Sequence, residues 1–367
     1  MELTNYWWLL IWLFTGGLFF EFCFAKRPEV ICGKTEYRWG WLPAMGLAMP
    51  YLIWAAGRKS FGDTSIYMEK FHELPVGIGQ IPEYLVENTK DKGFSVLQII
   101  IKTIFGDSTF ILFLIIATIQ ILCIVKIYRK YSSNYWMSMF LFVVSTDYLS
   151  WMHNGMRQFL AVTLIFAAFS FVIDKKYVPA ICIILLAATI HGSALIMLPI
   201  IFIVQGEALN KKTVMVVVAM LAVVLMIDRF TPILNNILVD TQYNDIMTNE
   251  YWAGDNGTSI IRVLVYSVPA LMAIVGKRYV KAFNDPVINI SVNSSLITMG
   301  IFLISSVSSG IYIGRLPIYT SLMGYIAIPW LIEHMFTEES KKIVKICMYV
   351  AYLGFFYFQM HFAWAYI

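Results

Sequence analysis

The sequence predicts an all-α polytopic membrane protein with about 12 transmembrane helices, and two observations lead to that prediction. Of its 367 residues, 59% are hydrophobic and only 14% are charged, and the mean hydropathy is +0.70. Soluble domains carry roughly 25% charged residues, so this chain has too few to cover a surface in water. Its apolar runs approach the roughly 20 residues that cross a hydrocarbon core, and short basic clusters separate them. The net charge of +4 is too small to indicate a nucleic-acid partner.

The basic clusters orient the predicted helices in the bilayer. Lys and Arg collect in cytoplasmic loops, so we expect these clusters on the cytoplasmic side and both termini on the outer side. The clusters are Lys26, Arg27, Lys34 and Arg38; Lys126, Arg129 and Lys130; Lys175 and Lys176; Lys211 and Lys212; Lys277, Arg278 and Lys281; and Lys341, Lys342 and Lys345.

The predicted helices run between those clusters, in a single integral membrane domain over residues 1–367. Their approximate ranges are 6–24, 41–56, 108–125, 135–151, 156–173, 178–190, 193–206, 213–228, 259–275, 287–307, 316–335 and 343–361. Residues 178–206 fit either one long tilted helix or a hairpin that turns at Ile190 to Ser193. A single helix would leave the last three basic clusters outside, so the charges favour the hairpin. Its short arms would place His191 at the bottom of an outward-facing cavity.

Two predicted outer loops are long. In the first, 59–107, apolar residues recur at helical spacing and predict an interfacial amphipathic helix over 93–105. Those residues are Phe94, Leu97, Ile101 and Ile104. The second, 229–258, interleaves Tyr243, Tyr251 and Trp252 with carboxylates. That mixture suits sugar binding, and it equally suits an aromatic belt at the membrane interface beside a solvated acidic loop.

Three arginines, Arg58, Arg157 and Arg315, each lie where a predicted outer loop meets a helix. An unpaired charge there costs a few kcal/mol in lipid, so three at similar depth indicate a shared anion site or a water-filled pocket. A guanidinium donates two N–H bonds to phosphate oxygens, which makes a diphosphate the expected ligand. Alternatively, each arginine extends to the headgroups or pairs with a nearby acid, Asp63 for Arg58 and Asp147 for Arg157.

His191 is the candidate general base, because nearby guanidinium groups would favour its neutral imidazole. The alternative is a packing histidine with no chemical role. The five cysteines lie singly in the sequence, with no spacing typical of a metal site or a disulfide framework. No Walker A, GxSxG or HExxH motif is present, and no DxD pair of a metal-dependent glycosyltransferase. We therefore predict no metal and no cofactor.

Several segments resemble motifs of one family, and together they span nearly the whole chain. GRKSFGDTSIYMEKF at 57–71 carries Arg58, Gly62, Asp63, Thr64, Tyr67 and Phe71 in matching places. GFSVLQIIIK at 93–102, NGMRQFLA at 154–161, IHGSALIMLP at 190–199 and Arg315 in GRLPIY follow in order. These segments resemble the EpsG-like branch of the Wzy-type bacterial polysaccharide polymerases.

The resemblance implies a GT-C-like glycosyltransferase that acts without metal on the outer face of the bacterial cytoplasmic membrane. Such an enzyme joins oligosaccharide repeat units that are linked to undecaprenyl diphosphate, and releases the lipid diphosphate. The implied partners are the lipid-linked donor and acceptor, the bilayer, and a chain-length regulator and a flippase of the same pathway.

The resemblance and the residues together predict a role for each site residue. Arg58, Arg157 and Arg315 would hold the diphosphate, and Arg157 would also act in catalysis. His191 or Asp63 would take the proton of the acceptor hydroxyl. Asn154, Gln158, Tyr67, Thr64 and Ser193 would orient sugar or phosphate oxygens.

Three other functions are weighed against the polymerase. A lipid-linked polysaccharide ligase would share the chemistry and use a different acceptor. A flippase or other transporter would have charges spread along a path through the bilayer, whereas the basic residues here collect at the helix ends. A membrane O-acyltransferase would have its catalytic histidine in a family-specific context, which we do not find.

Overall fold

The computed structural model describes residues 6–226 and 257–364, which are mostly helical. Residue contacts divide the chain into two compact units, Met1–Ile201 with Ile332–Ile367, and Phe202–Leu331. The elements as far as Ile203 are α1 (Tyr6–Cys23), β1 (Arg27–Ile31), β2 (Lys34–Arg38), α2 (Trp41–Ala56), α3 (Thr64–Glu73), α4 (Ile81–Glu87), α5 (Lys92–Phe105), α6 (Thr109–Tyr131), α7 (Tyr135–Val144), α8 (Met156–Ile173), α9 (Tyr177–Ile190) and α10 (Met197–Ile203). From Lys211 they are α11 (Lys211–Leu225), α12 (Ile260–Val275), α13 (Lys277–Phe283), α14 (Pro286–Ser306), α15 (Ile318–Ser321), α16 (Gly324–Met335) and α17 (Glu338–Phe358).

The described helices are those of a membrane protein. Four spans are long and apolar enough to cross a bilayer: Thr109–Tyr131, Met156–Ile173, Pro286–Ser306 and Glu338–Ala363. The pair α12 and α13, bent by 71°, adds a fifth if it is one broken span. Five shorter apolar helices accompany them. An all-α polytopic membrane protein therefore fits the structure, whereas the number 12, the GT-C-like architecture and the single domain stay predictions.

The first predicted cytoplasmic loop is an antiparallel β-hairpin, which the sequence analysis did not predict. Cys32 and Gly33 form its turn with positive φ values of 48° and 81°. Arg129, buried near the end of α6, pairs with Glu29 of β1 and donates to the Trp39 carbonyl at 3.1 Å. This pairing lets α6 continue to Tyr131, beyond the predicted end at residue 125, because the hairpin supplies partners for its basic last turn.

The predicted helix 135–151 is interrupted. α7 ends at Val144, and Thr146 adopts a φ of +71°, which an α-helix cannot contain. A π-helix then runs from Tyr148 to Asn154 and leads into α8. π-Helices are rare and frequently lie at functional sites.

The break predicted at His191 is present in the structure. α9 ends at Ile190, His191 is extended, and a 3₁₀-helix runs from Gly192 to Ile196 before α10. The predicted second outer loop, 229–258, lies outside the described residues except for Gly257 and Thr258, and so do the aromatic residues named in it.

In the second unit, α14 is the buried central helix, and α11 and α12 pack against it. Asp285 caps its start by accepting the Val287 backbone N–H at 2.9 Å. Asn289 and Asn293 accept the backbone N–H groups of the loop that precedes α11. At the other end of α14, the Thr258 N–H donates to the Ser305 carbonyl at 3.0 Å.

Candidate active site

The loop that follows α2 and the segment that precedes α8 pack together, and Gly62 lies at their contact. Its φ of +51° is one that glycine adopts without steric cost. A Cβ at this position would lie 2.5 Å from Asn154 Oδ1, which is closer than such atoms can approach. The Asp63 backbone N–H donates to the same oxygen at 3.0 Å. The structure therefore joins the 57–71 and 154–161 segments in one site.

We expect Gly62→Ala to destabilise the protein more than Gly33→Ala. Both positions have positive φ, which costs an alanine about 1–2 kcal/mol. Only at Gly62 would the added methyl group also collide with a neighbour, at a further cost of about 1–3 kcal/mol, because no atom lies within 4 Å of a Cβ at Gly33. Thermal unfolding of the two variants measures the difference. Equal unfolding temperatures would contradict the close packing of Gly62 on Asn154.

Arg58 is 5% exposed, and protein groups surround its guanidinium. It donates to the Met152 carbonyl, contacts the Met156 sulfur and lies 4.0 Å from the centre of the Phe113 ring. Burial lowers the pKa of Arg58 to about 10, so the group stays charged at neutral pH. Among the described residues, Arg58 forms no ion pair with Asp63, and the Arg58 Nε has no hydrogen-bond partner. Arg58 thus fastens the loop after α2 to the π-helix and to the start of α8.

His153 lies within the π-helix and is 2% exposed. Its ring contacts the edges of Tyr148 and Trp54, with centroids 5.0 and 5.8 Å apart. Burial, together with the nearby Arg58 charge, lowers the pKa of His153 to about 3. The imidazole is therefore neutral at physiological pH.

Arg157, the second residue of α8, pairs with Asp91. Its Nη1 lies 3.0 Å from Asp91 Oδ2, and the two side chains are 30% and 8% exposed. The suggested partner Asp147 is wrong for this arginine, since Asp147 is fully buried before the π-helix and the ion pair is formed with Asp91. The Arg157 backbone N–H also donates to the Tyr67 hydroxyl at 3.5 Å. Arg157 therefore combines a fixed carboxylate partner with a guanidinium that remains partly open.

Asp63, Thr64 and Tyr67 lie at the start of α3 and differ in their freedom to act. No described residue forms an ion pair or hydrogen bond with the Asp63 carboxylate, which is half-buried. The buried Thr64 hydroxyl donates to the Phe61 carbonyl and closes the turn into the helix. Burial raises the pKa of the Tyr67 phenol, so it stays neutral. Asp63 is the group in this segment with free acceptor oxygens.

Lys102 of α5 holds the opposite end of α3. Its buried ammonium donates to the carbonyls of Phe71, His72 and Leu74 at 3.0, 2.7 and 2.8 Å. Carbonyls of a last helical turn have no partner within the helix, and a cation there is favourable. Asp107 Oδ1 lies 3.5 Å from the same ammonium. A hydrogen bond with the exposed His72 side chain lowers the pKa of Asp107, so this carboxylate stays ionised.

The buried face of α5 is rotated from the predicted stripe. Phe94 and Ile101 are buried as expected, but Ile104 is 62% exposed, and Gln98 and Lys102 lie inside instead. This orientation brings the Lys102 ammonium to the carbonyls at the end of α3. Nearby, a Cβ at Gly93 would lie 2.1 Å from Thr189 Oγ1, so the start of α5 packs directly on the end of α9.

His191 follows α9 directly and is half-buried. Its Nδ1 lies 2.7 Å from Ser193 Oγ, which fixes the orientation of the ring. The start of α5 packs on the end of α9, next to His191, and Asp91, which precedes α5, pairs with Arg157. The predicted base His191 and the predicted diphosphate ligand Arg157 therefore belong to elements that both contact the start of α5.

The two remaining predicted residues are Gln158 and Arg315. Gln158 is buried within α8. Arg315 ends a 3₁₀-helix (Ile313–Arg315) of the second unit and is exposed there. Within residues 6–226 and 257–364, no group of three His, Cys, Asp or Glu side chains is placed to hold a metal ion.

Three residues of the site were missed by sequence analysis: Asp91, Lys102 and His153. Lys102 had a detectable signal, because it lies in helical register with Phe94 and Gln98 on α5. Asp91 directly precedes α5, a common place for an acid, and this position alone did not indicate Arg157. No signal in the sequence marked the π-helix that buries His153.

In the comparison with known families, the model of the EpsG family matches residues 46–366, which is most of the chain. The chain belongs to the EpsG family. This EpsG family consists of membrane proteins of polysaccharide biosynthesis and is associated with glycosyltransferase-like polymerase activity. No curated protein and no solved structure is significantly similar to the chain. The region matched to the EpsG family includes every predicted site residue.

Proposed function

We propose that this protein polymerises oligosaccharide repeat units that are carried on undecaprenyl diphosphate, on the outer face of the bacterial cytoplasmic membrane. The observation that supports this best is the union of the 57–71 and 154–161 segments through Gly62 and Asn154. That union holds the unpaired Asp63 carboxylate beside Tyr67, whose hydroxyl accepts the Arg157 backbone N–H. An open guanidinium and a free carboxylate suit a reaction that expels an anion and removes a proton.

Arg157 is the proposed ligand of the donor diphosphate. The Asp91 carboxylate fixes its Nη1, and the guanidinium is more exposed than that of Arg58. As the bond between the anomeric carbon and the diphosphate breaks, negative charge grows on the bridging oxygen, and a fixed cation there lowers the barrier. Arg58 supports the site from within. The role of Arg315 as a diphosphate ligand stays a prediction from the sequence.

Asp63 is the preferred base, with His191 as the alternative. The acceptor hydroxyl oxygen would attack the anomeric carbon and form the new glycosidic bond. Its proton would pass to Asp63 or His191, and the bonding electron pair would leave with undecaprenyl diphosphate. Asp63 is favoured because its oxygens are free, whereas His191 Nδ1 is engaged with Ser193. Tyr67, Asn154, Gln158 and Ser193 would orient substrate oxygens, and Thr64 acts by closing the turn before α3.

The purified protein, incubated with a lipid-linked repeat unit alone, should form longer lipid-linked chains and release one lipid diphosphate per new bond. Gel separation of the glycans and phosphate analysis measure both products. Consumption that requires a second, different acceptor would identify a ligase instead. Movement of the intact substrate across a vesicle bilayer without bond formation would identify a transporter, and either result would overturn the proposal.

A further inference from the structure

A small cleft lies beside Arg58, within the first unit. Trp54 and Phe61 line it, and the buried Arg58 and His153 reach it from the protein interior. The cleft, which we call the His153 cleft, has room for about one water molecule. No residue of the proposed reaction other than Arg58 lines it.

Two buried polar atoms of residues that line this cleft lack hydrogen-bond partners among the described residues, Arg58 Nε and His153 Nε2. A buried polar atom without a partner costs about 1–3 kcal/mol, so native proteins pair such atoms with protein, water or a ligand. Both residues are more than nine-tenths buried, which excludes bulk solvent as their ordinary partner. The two atoms therefore indicate a bound group.

The donor and acceptor properties of the two nitrogen atoms determine which group can bind to both of them. Arg58 Nε–H can only donate. His153 Nδ1 faces the Tyr148 carbonyl at 3.5 Å, and because a carbonyl can only accept, the proton belongs on Nδ1 and Nε2 is left as an acceptor. A hydroxyl accepts from one nitrogen and donates to the other. An ionised phosphate oxygen cannot donate to Nε2, and an ammonium cannot accept from Nε–H.

We propose that the His153 cleft is a site for a single hydroxyl group, which bridges Arg58 Nε–H and His153 Nε2. The hydroxyl belongs either to a carbohydrate or to a bound water. The half-buried Phe61 and the exposed Lys59 and Ser60 also line the cleft. The carbohydrate source rests on the proposed polymerase function, whereas the hydroxyl site itself does not.

Nitrogen-15 NMR of the full-length protein, labelled in its five histidines, tests the site without any turnover. The His153 signals are assigned by their loss in His153→Gln, and the exposed His72 serves as the control ring. We expect a neutral His153 ring with its proton on Nδ1 and an Nε2 signal typical of a hydrogen-bond acceptor. A proton on Nε2, or an Nε2 signal without a hydrogen bond, would overturn the proposal.

Added probes distinguish the source of the hydroxyl. Methyl glucoside, methyl galactoside or methyl N-acetylglucosaminide should shift the His153 Nε2 signal if a sugar hydroxyl binds. If the glycosides do not shift the His153 Nε2 signal and the signal shows transfer from water protons, the hydroxyl belongs to a bound water. A shift with inorganic pyrophosphate and not with glycosides or water contradicts a hydroxyl site. If no polymer forms in any assay, the proposed function fails while these spectra still decide the site.

A kinetic comparison completes the test in the active protein. His153→Phe keeps a ring of similar shape without the acceptor nitrogen, and it should raise the KM for a lipid-linked acceptor about tenfold with little change in kcat. His153→Gln, whose amide oxygen can accept, should recover most of that loss, and His72→Gln should change nothing. An unchanged KM in His153→Phe, together with transfer from water protons to the His153 signal of the native protein, assigns the hydroxyl to water.

Discussion

Arg157→Ala should slow polymerisation about 10²–10³-fold while the protein is still produced at its normal level. Loss of one donor that stabilises a developing oxyanion typically has this effect. Arg157→Lys should recover little, because an ammonium cannot hold Asp91 and a phosphate oxygen with the paired N–H groups of a guanidinium. The rate of lipid diphosphate release by purified variants measures the effect. Arg278→Ala, which removes an exposed arginine outside the site, is the matched control.

Variants of Asp91 test whether this carboxylate positions Arg157. If its carboxylate positions Arg157, Asp91→Asn should slow the reaction about tenfold in the native background and have little further effect in Arg157→Ala. Asp91→Glu should restore part of the rate, and Glu87→Gln, which removes an exposed charge from the same segment, should not alter it. Additive effects of Asp91→Asn and Arg157→Ala would mean that Asp91 acts separately from Arg157. A normal rate in Arg157→Ala would remove it from the proposed mechanism.

Much of the helical structure followed from local sequence, because apolar runs and capping residues act within one element. The predicted ranges of α2 and α8 coincide with the structure, and the break at His191 lies where a polar residue interrupts an apolar run. The β-hairpin was missed because three of its ten strand residues, Arg27, Lys34 and Arg38, are basic and the positive-inside rule already explained them. The interruption at Thr146 depends on a backbone conformation that no composition reports.

The candidate site could be predicted as a set of segments but not as a set of contacts. The 57–71 and 154–161 segments were recognised, and their contact through Gly62 is a property of the fold. Sequence proximity suggested Asp63 and Asp147 only as alternative partners for Arg58 and Arg157, whereas Asp91 reaches Arg157 from 66 positions away in the chain. A pairing at that separation depends on how α5 packs against α8 and α9. Nothing within either segment encodes it.

Lys102→Met should lower the free energy of unfolding by about 3 kcal/mol or more. Methionine has a similar volume, so the apolar packing of α5 is retained. The change removes all three hydrogen bonds to the carbonyls at the end of α3. The Phe71 carbonyl still accepts the Leu74 backbone N–H, whereas the His72 and Leu74 carbonyls lose the lysine donor. Each such loss costs about 1–3 kcal/mol. Thermal unfolding of the purified protein measures the effect.

The place in the chain where protease resistance is lost distinguishes hydrogen bonding by Lys102 from general packing. Asp63 and Thr64 lie at the start of α3, and Lys102 binds the carbonyls at its end. Loss of the lysine should therefore make the helix less ordered, which should slow polymerisation as well as lower stability. Limited proteolysis should then cut within residues 57–107 in Lys102→Met before it cuts elsewhere. Lys92→Met, an exposed lysine at the start of the same helix, should stay within about 0.5 kcal/mol of the native protein. Equal protease resistance in both variants would mean that the three carbonyls find other donors and that α3 does not depend on Lys102.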